Sequence, residues 1–282
     1  MKPKRFKYIY LLLCVALCIT TISRGYYLKH HTNEGNPFSR AINTIIPEAI
    51  PGINHVIDDS LSDLEETKKM ERTIERFMAQ WEIKGASLAI MKNGKLLYSK
   101  GFGIADSAKG TPVNVSNIFR IASLSKLITA TGIMKLWEEK KLSLDQPVFG
   151  EKGILNDSAF LGIKDPRIRE ITVEHLLRHQ GGYSIRAGDP LFCTPSVAQS
   201  MQTPLPLSAD DMVRFAASTR LRFRPGEGNA YSNLGYVVLG KVIEKVSGMP
   251  YETFIRDSIL IPIGCFDMHI GYSEPDKHFP NE

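Results

Sequence analysis

The sequence predicts a layered α/β domain of the α+β kind, with an antiparallel sheet that starts early in the folded body and helices around it. Three observations predict this. An amphipathic stretch, "DLEETKKMERTIERFMAQWEIKG", comes first; two apolar runs around Asn93-Gly94 follow; helical patterns broken by Pro- and Gly-rich loops fill the remainder. That order, helix, hairpin, long helical middle, places the sheet near the beginning of the body.

Each element has its own signal. Residues 1–24 carry Lys2, Lys4, Arg5 and Lys7 ahead of an apolar run from Tyr8 to Ile22, the pattern of a secretory signal or an uncleaved anchor. Early cations stay on the cytoplasmic side, so the body is expected to be exported, to the periplasm or the outer face of the inner membrane. Thr21 and Ser23 form a small-x-small cleavage site; Leu17 before Cys18 is bulkier than a lipoprotein site prefers. Residues 25–62 lack sustained periodicity and read as a tether, which leaves 63–282 as the domain. In the first helix Met70, Ile74, Phe77, Met78 and Trp81 recur at helical spacing, and Gly85 ends it. Asn93-Gly94 is the strongest short hairpin signal. "IFRIASLSKLITATGIMKLWEEKKL" opens a long helix near Ser123. In "TVEHLLRHQGG" a short helix starts at Thr172 and stops at Gly181-Gly182. A longer one runs from about Ser232 to Val246, and Gly248 ends it.

Composition narrows function. The chain has 282 residues and a formal net charge of +5, but six cations and no acid lie in residues 1–30, so the body is close to neutral. Nucleic-acid binding needs a basic face and is not expected. Cys14 and Cys18 fall in the N-terminal segment, leaving Cys193 and Cys265 in the body; export permits a disulfide, and two buried thiols are the plain alternative.

The chemistry centres on Ser123 and Lys126. Residues three apart share a helix face, so these two side chains can touch. Leu124, Leu127, Ile128 and Met134 suggest a heavily buried helix, and an amine stripped of water there can take a hydroxyl proton and make Ser123 a nucleophile. A helix start also favours developing negative charge. A capping Ser beside a snorkelling Lys is the structural alternative. "NAYSNLGY" then supplies Tyr231-Ser232-Asn233 just before a helix. A phenol at that junction can relay a proton, and the Asn233 amide can serve both a substrate amide and the lysine. A core tyrosine with a capping asparagine is the alternative here.

Together these motifs resemble the serine β-lactamase and penicillin-binding protein superfamily, in the branch of class C β-lactamases, D-alanyl-D-alanine peptidases and family VIII esterases, which combines Ser-x-x-Lys with Tyr-x-Asn. The resemblance is collinear over about residues 66–272: "KGASLAIMKNGKLLYSKGFGIAD" resembles the opening hairpin, "IFRIASLSKLITATGIMKLWEEKKLSLDQPV" the nucleophile helix, "ITVEHLLRHQGGY" the His-Leu-Leu-x-His segment, and "RPGEGNAYSNLGYVVLGKVIEKVSGMPYETFI" the tyrosine segment. It implies a β-lactamase/transpeptidase-like fold with a mainly helical subdomain. It also implies an acyl-enzyme on Ser123, acid–base work shared by Lys126 and Tyr231, and substrate binding by Asn233. Substrates would be β-lactams, D-alanyl peptides or small esters, with no cofactor and no metal.

One departure stands out. The family's third motif, Lys-Thr-Gly or a relative, sits on a strand well downstream. Here the matching pattern, His269-Ile270-Gly271, comes too soon, directly after the helix that follows the tyrosine segment. The expectation is a chain lacking the C-terminal strands. Losing the oxyanion donor on that strand would cost about 3 kcal/mol of transition-state stabilisation. A catalytically impaired relic that binds peptidoglycan-like ligands is therefore the alternative function. His175 and His179, four apart on a helix, have a zinc-compatible spacing, but Glu174 precedes the first histidine where a zincin would place Glu directly after it.

Overall fold

A computed structural model describes residues 65–183, 188–272, 274–279 and 281–282. The expected signal segment (1–24) and tether (25–62) lie outside the described residues. A 3₁₀ turn leads into helix α1 (Lys68–Gln80). Strands β1 (Gly85–Lys92) and β2 (Lys95–Asp106) then pair antiparallel, with Lys92 opposite Lys95 across a two-residue turn. Asn93 and Gly94 both take positive φ, 53° and 72°, as a hairpin turn that follows the strand twist requires. A short third strand, β3 (Thr111–Pro112), pairs with the end of β2, giving the order β1-β2-β3. The sequence carries no separate signal for β3.

The helical part begins with α2 (Ser125–Glu138), entered through a 3₁₀ turn at Ala122–Leu124. It continues with α3 (Val173–Leu177), α4 (Thr194–Met201), α5 (Ala209–Ser218), α6 (Asn233–Ser247) and α7 (Tyr251–Ile255), the last running on as a π turn over Arg256–Leu260. Caps set the boundaries. Thr172 accepts from the His175 amide and Ser208 from the Asp211 amide, each in a reciprocal capping box. Gly248, in the left-handed region, ends α6. α3 stops at Leu177, short of Gly181, because His179 already adopts a left-handed φ of 58°.

The main core joins α2, α3, α5, α6 and α7 through residues such as Ile133, Leu136, Leu176, Val213, Leu239, Ile243 and Phe254. α2 and α6 approach closely at Gly132; a Cβ there would sit 2.8 Å from Ile255 Cδ1 and 3.0 Å from Ile243 Cδ1. A second, small core of Met78, Tyr98 and Phe102 holds α1 on the hairpin.

One burial expectation is corrected. α2 is buried along Thr129, Gly132, Ile133 and Leu136, one stripe at helical spacing facing α6 and α7. Leu124 and Leu127 lie off that stripe on the first turn and are 66% and 57% exposed. On α1 Met78 is buried, whereas Phe77 and Trp81 are about half exposed. Cys193 and Cys265 are both free thiols.

Candidate active site

Ser123 and Lys126 stand at the entry to α2. Ser123 belongs to the 3₁₀ turn and is exposed; Lys126 is half-buried one turn on, with its Nζ 3.4 Å from Ser123 Oγ. Ala122, just before the serine, has φ 45°, a left-handed conformation that costs a non-glycine residue free energy. The strain falls where the chain turns to present the Ser123 hydroxyl.

The second segment arrives through the start of α6. Ser232 is its N-cap: the backbone there is extended (φ −139°, ψ 115°) and its buried hydroxyl accepts from the Gly235 amide at 3.0 Å. The capping role thus belongs to Ser232, leaving the side chains on either side free for other work. Tyr231 Oη lies 2.6 Å from Ser123 Oγ. Asn233 Oδ1 accepts from Lys126 Nζ at 2.5 Å. The Lys126 ammonium lies 4.8 Å from the centre of the Tyr231 ring and 5.7 Å from that of Tyr236. All four residues expected to form a site therefore meet in one cluster, although more than a hundred positions separate the two motifs.

Two further residues complete the cluster. His179 binds the tyrosine segment on both sides of Tyr231: its carbonyl accepts from the Ala230 amide at 2.9 Å, and its Nδ1 accepts from the Ser232 amide at 3.1 Å. Its ring packs against Tyr231 and Tyr236, with centroids 4.6 and 5.2 Å away. Burial, and secondarily the Lys126 charge, push the imidazole down to about 4, so it is neutral near pH 7 with Nδ1 free to accept. His175, the other half of the zinc-like pair, uses its Nδ1 to accept from the Thr172 amide in the α3 cap. Among the described residues no group of His, Cys, Asp or Glu is arranged to hold a metal ion.

The other residue is Asp189, whose Oδ2 accepts from Asn233 Nδ2 at 2.8 Å. Its Oδ1 accepts from the Leu191 amide, a local turn contact. In sequence Asp189-Pro190 carries only a turn signal, and nothing in its spacing points to Asn233. The chemical content of the cluster is a solvent-facing hydroxyl in contact with a phenol and an ammonium, backed by an amide. With one proton removed from the phenol–ammonium pair, that set suits proton transfer to and from an attacking oxygen.

The chain is similar to several known proteins. A family model described as Beta-lactamase matches residues 70–279, which include the whole cluster. Esterase EstB of Burkholderia gladioli is 26% identical over 217 residues, covering 74% of this chain and 53% of its own length. Penicillin-binding protein 4* of Bacillus subtilis (strain 168) is 32% identical over 207 residues, covering 72% of this chain and 41% of its own. Among solved structures, the octameric penicillin-binding protein homologue from Pyrococcus abyssi aligns with a TM-score of 0.58 at 36% identity, over 71% of this chain and 43% of that one. The chain spans about half the length of the curated relatives it matches. With a family match running from α1 through both site segments to Phe279, and a fold shared with a solved homologue, the chain belongs to the beta-lactamase family, a family of serine hydrolases.

Proposed function

We infer that the protein is an exported acyl-serine hydrolase, of the β-lactamase, D-alanyl-D-alanine carboxypeptidase or esterase type, with Ser123 as nucleophile. The observation that carries this reading is the 2.6 Å contact between Tyr231 Oη and Ser123 Oγ, with Lys126 Nζ on the same oxygen at 3.4 Å. Ser123 Oγ attacks the substrate carbonyl carbon, and its proton passes to the Lys126–Tyr231 pair, which enters the step one proton short of the full ammonium–phenol complement. The pair returns a proton to the leaving group as the acyl-enzyme forms. Water then enters, adds its oxygen to the acyl carbon and gives a proton to the same pair, which passes it to Ser123 Oγ as the ester bond breaks and the acid leaves. Lys126 and Tyr231 act as one proton-transferring unit, so the base is the pair rather than either member. Relatives named as an esterase and as penicillin-binding proteins support an ester or amide carbonyl as the target.

The Lys- and Arg-led apolar run at residues 8–22 supports export with retention at the membrane. One experiment tests chemistry and location together: spheroplasts expressing the full chain are treated with a membrane-impermeant fluorescent penicillin. Wild type should label covalently on its external face, and Ser123→Ala should not label. Labelling that survives Ser123→Ala would remove Ser123 from the mechanism. Label seen only after lysis would place the body inside the cell. A wild type that never labels would favour binding without acyl transfer.

A further inference from the structure

The geometry points to Asp189 as a positioning residue for the acylation step: it sets the orientation of the Asn233 amide and, through it, the place of the Lys126 ammonium. This rests on the acyl-transfer reading above. The Asn233 amide lies between two groups that cannot exchange roles. An ammonium has donors and no acceptor, and a carboxylate has acceptors and no donor. Lys126 Nζ is 2.5 Å from Oδ1 on one side, and Asp189 Oδ2 is 2.8 Å from Nδ2 on the other. Rotating the amide by half a turn would set its NH2 against the ammonium and its oxygen against the carboxylate, two repulsive contacts in place of two charge-assisted hydrogen bonds. The carboxylate and the ammonium therefore select the same orientation.

The consequence reaches the nucleophile. Of the contacts around Lys126 Nζ, that to Asn233 Oδ1 at 2.5 Å is shorter than that to Ser123 Oγ at 3.4 Å. The ammonium is thus held mainly from the Asn233 side, and its distance from the serine oxygen depends on where that amide oxygen points. Asp189 is itself fixed, because its other oxygen accepts from the Leu191 amide at 2.9 Å and its carbonyl accepts from the Phe192 amide at 2.9 Å. The chain of contacts Leu191 amide, Asp189, Asn233, Lys126, Ser123 runs from a loop turn to the attacking atom. One hydrogen on Asn233 Nδ2 points to Asp189, which leaves the second for a substrate carbonyl.

The test is a double-mutant cycle on the full chain, read as the second-order rate of acylation by fluorescent penicillin. Asp189→Ala in the wild-type background should slow acylation about tenfold to a hundredfold, the loss expected for one hydrogen bond to a charged group. In an Asn233→Ala background the same substitution should change the rate by less than about twofold, because the group it acts through is gone. Equal losses in both backgrounds would overturn the proposal and assign Asp189 to loop stability alone; no loss in either would also overturn it. Thermal unfolding of each variant shows whether the fold is retained. A second measurement does not need activity: the side-chain amide of Asn233, assigned in a ¹H–¹⁵N spectrum by its disappearance in Asn233→Ala, should shift and lose exchange protection in Asp189→Ala. An unchanged signal sinks the positioning role even if the wild type proves inert. A shifted signal in an inert wild type keeps that role while the acyl-transfer reading fails.

Discussion

Acidification should loosen the tyrosine segment through His179. That imidazole is held at about 4, against an ordinary value near 6.5, by burial first and the nearby Lys126 charge second. Between these values the unfolded chain binds a proton that the folded chain does not, so unfolding is favoured as pH falls. The stabilisation is complete above about 6.5 and is lost as pH falls to about 4, an effect of roughly 3 kcal/mol at most. Below 4 the protonated Nδ1 can no longer accept from the Ser232 amide, and the backbone beside Tyr231 loses one of its two ties. Melting temperature measured across pH 4 to 7 should fall in wild type and stay nearly flat in His179→Gln, whose amide oxygen can still accept. A wild type with no slope in that window would show that His179 is not held neutral. At this scale the sequence revealed Ser123, Lys126, Tyr231 and Asn233, because each belongs to a spaced motif with a chemical reason. Asp189 and the clamp by His179 were illegible, because both act through contacts between distant segments that no local pattern encodes.

The joints between elements depend on a few buried polar pairs, and Asp165 is the clearest. It caps the 3₁₀ turn Pro166–Glu170, accepting from the Arg167 amide and from the Arg167 guanidinium at 3.0 and 2.7 Å. Its Oδ2 also accepts from the Leu221 amide at 3.0 Å, while Arg167 donates back to the Leu221 carbonyl at 2.8 Å. The pair thus grips both backbone groups of Leu221, in the segment after α5, as a neighbouring strand would. The next residue, Arg222, donates to the Gly182 carbonyl, which links the joint to the loop that carries His179. Arg167 chiefly, with the backbone donors, holds the Asp165 carboxyl at about 2 in spite of burial. Asp165→Ala would leave a buried amide and a guanidinium without their acceptor, and should cost about 3 kcal/mol in a urea unfolding experiment. A loss under about 1 kcal/mol would mean that water replaces the carboxylate. This contribution persists to about pH 4 and fades toward pH 2, which separates it from that of His179. Element boundaries followed the same divide between local and distant causes. The hairpin at Asn93-Gly94 and the helix start at Ser232 were legible from turn and cap chemistry. α3 ended early and Leu124 and Leu127 stayed exposed because tertiary contacts, not periodicity, decided them.

Across the whole molecule, unequal burial predicts unequal stability. α2, α3, α5, α6 and α7 share one continuous core in which Ile133, Leu136, Val238, Leu239, Val242 and Ile243 are fully buried. Among the described residues, the core shared by α1 and the hairpin buries Met78, Tyr98 and Phe102, with Met70, Ile74, Ala86, Leu88 and Ile90 partly covered. The smaller core is reinforced by a polar tie: Glu71 on α1 accepts from Tyr98 Oη at 3.0 Å and from Lys100 Nζ at 2.8 Å, both on β2. Local opening follows the amount of apolar surface that must be exposed, so α1 and the hairpin should open as a unit without the helical body. In native-state hydrogen exchange the amides of Val238–Ile243 should report global unfolding, and those of β1 and β2 should exchange through an opening at least about 2 kcal/mol less costly. Glu71→Gln weakens the tie and should lower protection in the hairpin while leaving α6 unchanged. Equal protection across both regions, or an equal fall in both on Glu71→Gln, would show that the two cores unfold together. Separate opening would allow the hairpin side to move while the helical body keeps Ser123, Lys126, Tyr231 and Asn233 in contact, because both segments of the cluster enter helices of the larger core.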